Sequence, residues 1–313
     1  MLKRIRDLRE AGVVGINARN RNYVMPLNPR KMYEFVDDKV YTKKLAEKAN
    51  IAVPKLYGLI TTVHESNSIH EIINDKKDFV IKPVHGSGGK GILVIDDRRG
   101  DLFIKPNNTA INAEAIKHHI ENILGGVYSL GGQVDQAIIE YRVKFDPIFN
   151  AISYQGVPDI RMLIYKGIPA MAMLRLPTQE SDGKANLHQG AVGVGIQLTT
   201  GITTLAVCKD RRIKVHPDFG STLSGVQIPG WQDLLLLSAR CYELAPLGYL
   251  GVDIVLDAEL GPLILELNAR PGLAIQIANG RGLKHRLDAI DKIKDLPTQV
   301  EDRVSIIQTF TDH

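Results

Sequence analysis

The segment Phe79-Val-Ile-Lys-Pro-Val-His-Gly-Ser-Gly-Gly-Lys-Gly-Ile-Leu-Val-Ile-Asp96 places a glycine-rich loop between two apolar runs and puts a lysine on the first run. That is the layout of a hairpin folded over nucleotide phosphates. Gly86, Gly88 and Gly91 satisfy G-x-G-x-x-G, but the dinucleotide fingerprint requires a helix directly after the glycines. Ile92-Leu93-Val94-Ile95 is apolar and β-branched, too short for a helix and stopped by Asp96-Asp97, so a strand is predicted there. A Walker A loop is excluded as well, because Lys90 is followed by glycine and not by serine or threonine. What remains is a flap of His85, Gly86, Ser87, Gly88, Gly89, Lys90 and Gly91. Its unhindered backbone can approach phosphate oxygens while Lys82 supplies a point charge from the strand below. On these residues alone, a plain glycine-rich hairpin with a surface lysine stays open.

A chain of 313 residues holds one large or two ordinary domains, and its 44% apolar and 24% charged residues are proportions that can bury a core. The net charge of +4 comes from lysines and arginines scattered beside acidic residues, without a basic block or interleaved aromatics, so nucleic-acid binding is not expected. Cys208 and Cys241 are the only cysteines and read as reduced core thiols. The first residues are charged throughout, and nowhere does an apolar run reach the roughly 18 residues that a membrane span needs. A cytoplasmic protein without a membrane segment is therefore expected. Oligomeric state leaves no signature.

Periodicity predicts a small α+β lobe over 41–141 after an N-terminal extension at 1–40, in which 25–30 reads as an irregular connection. The lobe has a helix from Tyr41 to Asn50, strands around 55–62, 79–84 and 92–96, and helices near 66–74 and 113–124. A strand from Asp135 leads to a hinge near Tyr141. A larger lobe follows over 142–296, with strands at 158–165, 169–176, 192–197 and 203–208 in a largely antiparallel sheet and helices at 231–245 and 283–295. Residues 297–313 read as a tail.

The second constellation is Gly251-Val-Asp253-Ile-Val-Leu-Asp257, a turn through Gly261-Pro262, then Leu263-Ile-Leu-Glu266-Leu-Asn268-Ala-Arg270-Pro-Gly272. Side chains alternate along a strand, so Glu266 and Asn268 share a face. If the hairpin pairs Asp253 with Glu266, three oxygen-bearing side chains converge and the two carboxylates repel unless something neutralises them. A divalent cation would do so, and a small set of oxygen ligands with open positions favours Mg²⁺ shared with phosphates. The alternative is an ordinary half-exposed hairpin with its carboxylates in solvent.

These residues together resemble the ATP-grasp carboxylate-amine ligases, most closely the RimK-like α-L-glutamate ligases, over roughly residues 37–290. The resemblance implies an α+β ATP-grasp fold of two lobes with the nucleotide between them and a truncated N-terminal domain. Asp38-Lys39 resembles the start of the family's first helix, which implies that Lys39 reaches a phosphate. Lys82 matches the second nucleotide lysine, and Glu140-Tyr141 the hinge that binds adenine through its backbone. Asp159-Ile-Arg161 resembles an Asp-Ile-Arg strand, implying a nucleotide contact for Asp159 and a phosphate contact for Arg161. Asn186-Leu-His-Gln-Gly190 resembles an Asn-Leu-His-Arg-Gly loop, implying a nucleotide or metal contact for Asn186. Lys184 stands where the family has arginine, which keeps the charge without the bidentate fork.

The implied cofactors are ATP and Mg²⁺, as two ions that Mn²⁺ can replace, with Asp253, Glu266 and Asn268 as metal ligands. The implied reaction is phosphorylation of a carboxylate followed by amine attack, adding glutamate or another amino acid to a peptide, protein or small molecule. Arg161 and Arg270 would stabilise the transferred phosphoryl group, and Arg175 would hold a substrate carboxylate unless it is a salt-bridged surface arginine. A phosphotransferase on the same scaffold and an ATP-binding regulatory module are the alternatives. His85 and His188 are placed to donate hydrogen bonds near phosphates, whereas His118 and His119 are expected on a solvated helix face.

Overall fold

The apolar runs on either side of the glycine loop pair with each other. In the computed structural model, which describes residues 2–86 and 88–310 apart from the side chains of residues 2–5 and 130, the chain divides into two units. One comprises Asp38–Lys44 and Val53–Lys144, the other Met1–Asp37, Leu45–Ala52 and Phe145–His313. The division thus falls after Lys144. Ser87, one of the expected phosphate contacts, lies outside the described residues.

The smaller unit is built on a four-stranded antiparallel sheet in the order β1-β7-β2-β3. Its strands are β1 (Leu56–Ile60), β2 (Phe79–Pro83), β3 (Leu93–Ile95) and β7 (Ala137–Glu140). Phe79, Ile81, Ile95 and Ile139 bury one face against Ile116, Ile120 and Ile123 of the helix Ala113–Leu124. Those isoleucines recur at helical spacing, and Asn112 caps the helix by accepting the Ala115 N–H. A second sheet, β4 (Asp97–Arg99), β5 (Leu102–Ile104) and β6 (Ala110–Ile111), was not predicted. Its charged, very short strands carry too little alternation to stand out.

The larger unit is a seven-stranded antiparallel sheet in the order β12-β11-β10-β9-β8-β13-β14. The strands are β8 (Asp159–Tyr165), β9 (Ile168–Leu176), β10 (Val192–Ile196), β11 (Thr203–Cys208), β12 (Arg211–Ile213), β13 (Tyr249–Asp257) and β14 (Gly261–Asn268). Leu163, Tyr165, Met171 and Met173 pack on one face with Ile275, Leu287 and Ile290 from the helices Ala274–Asn279 and Lys284–Asp291. The helix Trp231–Leu244 packs against β8, β9 and β13.

Residues 2–40 and 297–310 differ from expectation. Residues expected as a polar extension form the helices Leu2–Glu10, Ile16–Arg19 and Met25–Leu27, with a π-helical turn at Asn20–Val24, and the last of these occupies the supposed irregular connection. Val14, Tyr23 and Val24 enter the core of the larger unit, Tyr23 lying edge-on to Tyr165 and stacked on Tyr249. The supposed tail folds as the helix Val300–Ser305, with Val304 and Ile307 buried. Both segments carry few apolar side chains at regular spacing, which masked those that the sheet needs to cover its face. Among the described residues, no helix is long and apolar enough to cross a membrane.

Asn28 ties the N-terminal helices to the β13–β14 hairpin. Its amide donates to the carbonyls of Tyr249 and Ala269, at 2.8 and 2.7 Å, and accepts the Tyr249 N–H at 3.0 Å. Asn28→Ala strands three buried backbone groups and should cost about 3 kcal/mol. Urea unfolding of the variant checks this, and a change within error of zero would show that the segment is not integral to the larger unit.

Candidate functional site

In the smaller unit the lysine singled out from the sequence sits on a buried carboxylate. Lys82 from β2 and Lys43 from the helix Lys39–Lys48 both pair with Glu140 at the end of β7, at 2.5 and 2.9 Å. All three are buried, and Lys43 also donates to the Pro54 carbonyl. Burial raises the Glu140 carboxyl, but the charges of Lys82 and then Lys43 hold it below the usual carboxylate range. Glu140 was expected to contribute its backbone; its side chain is instead the anchor of the lysines. The Tyr141 N–H, the other expected adenine contact, donates to the Lys55 carbonyl.

Lys39 lies beneath the glycine loop, its ammonium donating to the carbonyls of Val84 and Gly86 at 2.8 and 2.9 Å. Asp38 starts that helix by accepting the N–H groups of Val40 and Tyr41. Gly88, Gly89 and Gly91 all have positive φ, and a Cβ on Gly91 would lie 2.6 Å from the Tyr128 ring. Lys90 between them is exposed. His119 was expected in solvent, as His118 is; instead its Nε2 meets the Gly91 carbonyl at 2.9 Å and its ring packs on Tyr128. Burial lowers its pKa, so it acts as a neutral donor that fastens one end of the loop. At the other end, His85 Nδ1 lies 2.9 Å from the buried Asp135.

In the larger unit, strand register assembles a row of charges across one face of the sheet. Asp159 on β8 is opposite Arg175 on β9, Arg161 is opposite Asp253 on β13, and Asp253 is opposite Glu266 on β14. Arg161 grips Asp253 through Nε and Nη2 at 2.7 and 2.6 Å, and Arg175 grips Asp159 at 2.5 and 2.7 Å. Arg175 Nη2 also reaches Asp253 at 2.8 Å. Burial raises both carboxyls. Arg161 and Arg175 overcome it at Asp253, whose pKa falls to about 2. At Asp159, burial and the Asp253 charge outweigh Arg175 and leave the group raised.

Asp253, expected as a metal ligand, is paired with two guanidinium groups. Asn268 Nδ2 lies 3.3 Å from Asp253, a long hydrogen bond that leaves the Asn268 carbonyl oxygen available. The half-buried Glu266 carboxylate has no partner among the described residues. Glu266 and Asn268 thus fit a hard cation that prefers oxygen, with Asp253 committed to arginine. Among the described residues, no group of three or more His, Cys, Asp or Glu side chains is disposed to hold a metal.

The other expected residues lie outside this row. Arg270 stacks over Tyr33, 5.3 Å from the ring centroid. Lys184 is half-buried and 3.6 Å from Asp182, and Asn186 caps its own loop by accepting the His188 N–H. Both cysteines are free: Cys241 is buried in the helix Trp231–Leu244, and Cys208 is partly exposed with its thiol on the Gly190 carbonyl. Lys43, Asp135 and His119 were missed as supporting residues, and only Lys43 had a signal, its place in the segment after Asp38-Lys39.

A glycine loop held by Lys39 in one unit, and a charged row on an antiparallel sheet in the other, characterise an ATP-grasp fold. The chain belongs to the sugar-transfer associated ATP-grasp family, whose profile matches residues 18–292. A probable α-L-glutamate ligase from Maridesulfovibrio salexigens is 24% identical over 238 residues, 75% of this chain and 56% of that protein. A cyanophycin synthetase from Synechocystis is 25% identical over 295 residues, 88% of this chain and 32% of that protein. The chain therefore spans 56% and 32% of the length of these curated relatives. The crystal structure of a RimK-domain ATP-grasp protein from Sphaerobacter thermophilus is 14% identical and covers 86% of this chain and 72% of its own, with a TM-score of 0.47.

Asp253→Asn leaves two buried guanidinium groups short of their counter-charge and should destabilise the protein by about 3 kcal/mol near neutral pH. The Asp253 pKa is depressed in the folded state, so its stabilisation is present above the unfolded carboxyl value and lost as pH falls toward about 2. The gap between wild-type and variant urea midpoints should hold at neutral pH and narrow once the pH drops below about 4. A gap that stays constant in acid would contradict the ion-pair account.

Proposed function

We propose that this protein is an ATP-dependent carboxylate-amine ligase that forms an amide through an acyl phosphate, releasing ADP and phosphate. A substrate carboxylate oxygen attacks the γ-phosphorus of ATP and ADP leaves. The amine then attacks the acyl carbon, phosphate leaves with the electron pair of the broken C–O bond, and the nitrogen gives up a proton. Phosphoryl transfer spreads negative charge over oxygens, and most of the catalytic work is positioning and neutralisation. In this reading Lys39, Lys82 and the backbone of Gly86 to Gly91 hold the phosphates, and the loop excludes water that would hydrolyse the acyl phosphate.

Glu266 and the Asn268 oxygen would hold Mg²⁺, which supplies positive charge to the phosphate oxygens when bound. Arg161 and Arg175 order Asp253 and Asp159 beside that pair, while Arg270, Lys184 and Asn186 are the remaining candidates for substrate or nucleotide contact. The observation that carries the reading is Glu266, a half-buried carboxylate without a partner among the described residues, set by register beside an arginine-saturated aspartate in a member of an ATP-grasp family. The names of the two curated relatives make glutamate and other amino acids the first substrates to test, with a peptide, protein or small amine as partner.

Phosphate release from MgATP should appear only with a productive carboxylate-amine pair drawn from a panel of amino acids and peptides. Mass spectrometry should show the product heavier by the joined unit less one water. Glu266→Ala should reduce turnover on the order of 10²-fold, the scale of removing one electrostatic stabiliser. A stable phosphorylated product without an amide would replace the ligase with a phosphotransferase, and full activity in Glu266→Ala would remove the metal assignment.

A further inference from the structure

The loop 177–190, which joins β9 to β10, is closed by its own hydrogen bonds. The Thr178 hydroxyl donates to the Gly190 carbonyl at 3.0 Å and accepts the Ser181 N–H at 3.1 Å. The N–H groups of Gly183 and Lys184 donate to the carbonyls of Thr178 and Ser181, at 3.3 and 3.1 Å. A compact loop of this kind, packed on its own side chains, moves as a unit. Its placement is therefore set where it is fastened to its surroundings.

The turn 216–219 supplies that fastening. His216 is fully buried, and its Nε2 lies 3.2 Å from the Pro177 carbonyl, which also accepts the Tyr154 N–H. Its Nδ1 accepts the Asp218 N–H at 3.2 Å. A ring nitrogen that accepts a backbone N–H carries no proton, so Nε2 is the nitrogen that donates to Pro177. Both bonds need the neutral ring, and burial lowers the His216 pKa in keeping with that, against the Pro177 bond and the Asp218 charge. The Asp218 carboxylate, 18% exposed, accepts the Gln179 N–H at 2.8 Å. Phe219 packs on the His216 ring, centroids 5.1 Å apart. The Lys209–Glu180 pair also touches the loop, but it is exposed on both sides and adds little.

We propose that His216 and Asp218 are positioning residues that latch the root of the 177–190 loop and so set where Lys184 and Asn186 stand. The role rests on the ligase reading above, in which those two side chains are candidates for substrate or nucleotide contact, and it deepens that reading with residues outside the charged row. The loop leaves β9 directly after Arg175 and Leu176, so a shift at its root displaces Lys184 and Asn186 relative to that row. Burying an imidazole is costly unless its nitrogens are bonded, and here both bonds go to joining two distant segments.

Hydrogen exchange read by mass spectrometry, together with steady-state kinetics, tests the role on the full chain. One hydrogen bond to a carboxylate corresponds to about tenfold in an equilibrium constant. Asp218→Ala should therefore speed exchange across 178–190 about tenfold and leave the helix Ala113–Leu124 of the smaller unit unchanged. Asp218→Asn, whose amide oxygen still accepts the Gln179 N–H, should restore most of the protection. His216→Phe, which fills the space of the ring without its nitrogens, should match Asp218→Ala. With a productive carboxylate-amine pair, Asp218→Ala should lower kcat/KM about tenfold. The same substitution should cost about threefold or less in at least one of the Lys184→Ala and Asn186→Ala backgrounds, because the latch acts through those side chains.

Unchanged exchange across 178–190 in Asp218→Ala overturns the proposal, as does a full tenfold kinetic cost in both backgrounds. Because Asp218 lies near the surface, its variants keep the test valid if His216→Phe does not fold. Wild-type protein that joins no carboxylate-amine pair would remove the ligase reading and the role of the latch in it, whereas exchange unmoved in an active protein would remove this inference alone.

Discussion

Two guanidinium groups on one buried carboxylate organise the larger unit. Arg161 and Arg175 come from neighbouring strands and meet on Asp253, and the antiparallel register of β9, β8, β13 and β14 makes the meeting possible. Slipping any of these strands by one residue would turn its charged side chain to the opposite face, where Ile160, Met162 and Ile164 are buried. The face that carries Asp159 and Arg161 also holds, further along β8, Leu163 and Tyr165 in the core under the N-terminal and C-terminal helices. One alternation therefore serves both packing and charge.

The smaller unit follows the complementary arrangement. There the buried Glu140 holds Lys43 and Lys82, as the buried Asp253 holds Arg161 and Arg175 in the larger unit. Burial in low dielectric strengthens each pairing and makes the loss of one partner costly.

Family membership sets the scaffold and the nucleotide expectation, but not the substrate. The curated relatives bear the names of a probable α-L-glutamate ligase and a cyanophycin synthetase, and this chain spans only part of each. Fold-level likeness supports many acceptors. Substrate identity therefore has to come from chemistry measured on this protein.

The sequence by itself determined the strand-loop-strand at Phe79–Asp96 and the acidic hairpin, because period-two alternation and turn chemistry act over a few residues, while the pairing of Asp253 with Glu266, next to a register shift, was settled by the structure. It also led to Lys82, Arg161 and Arg175 as chemically charged positions. Only the tertiary structure decided what those charges touch: Glu140 on two lysines, Arg175 on two aspartates, Asp135 under His85, and His119 on Gly91. It also decided that the charged N-terminal and C-terminal segments fold onto the larger sheet through Val14, Tyr23, Val24 and Ile307. The physical reason is the same throughout. Burial and ion pairing depend on residues brought together from distant parts of the chain, and local pattern carries no record of which distant partner arrives.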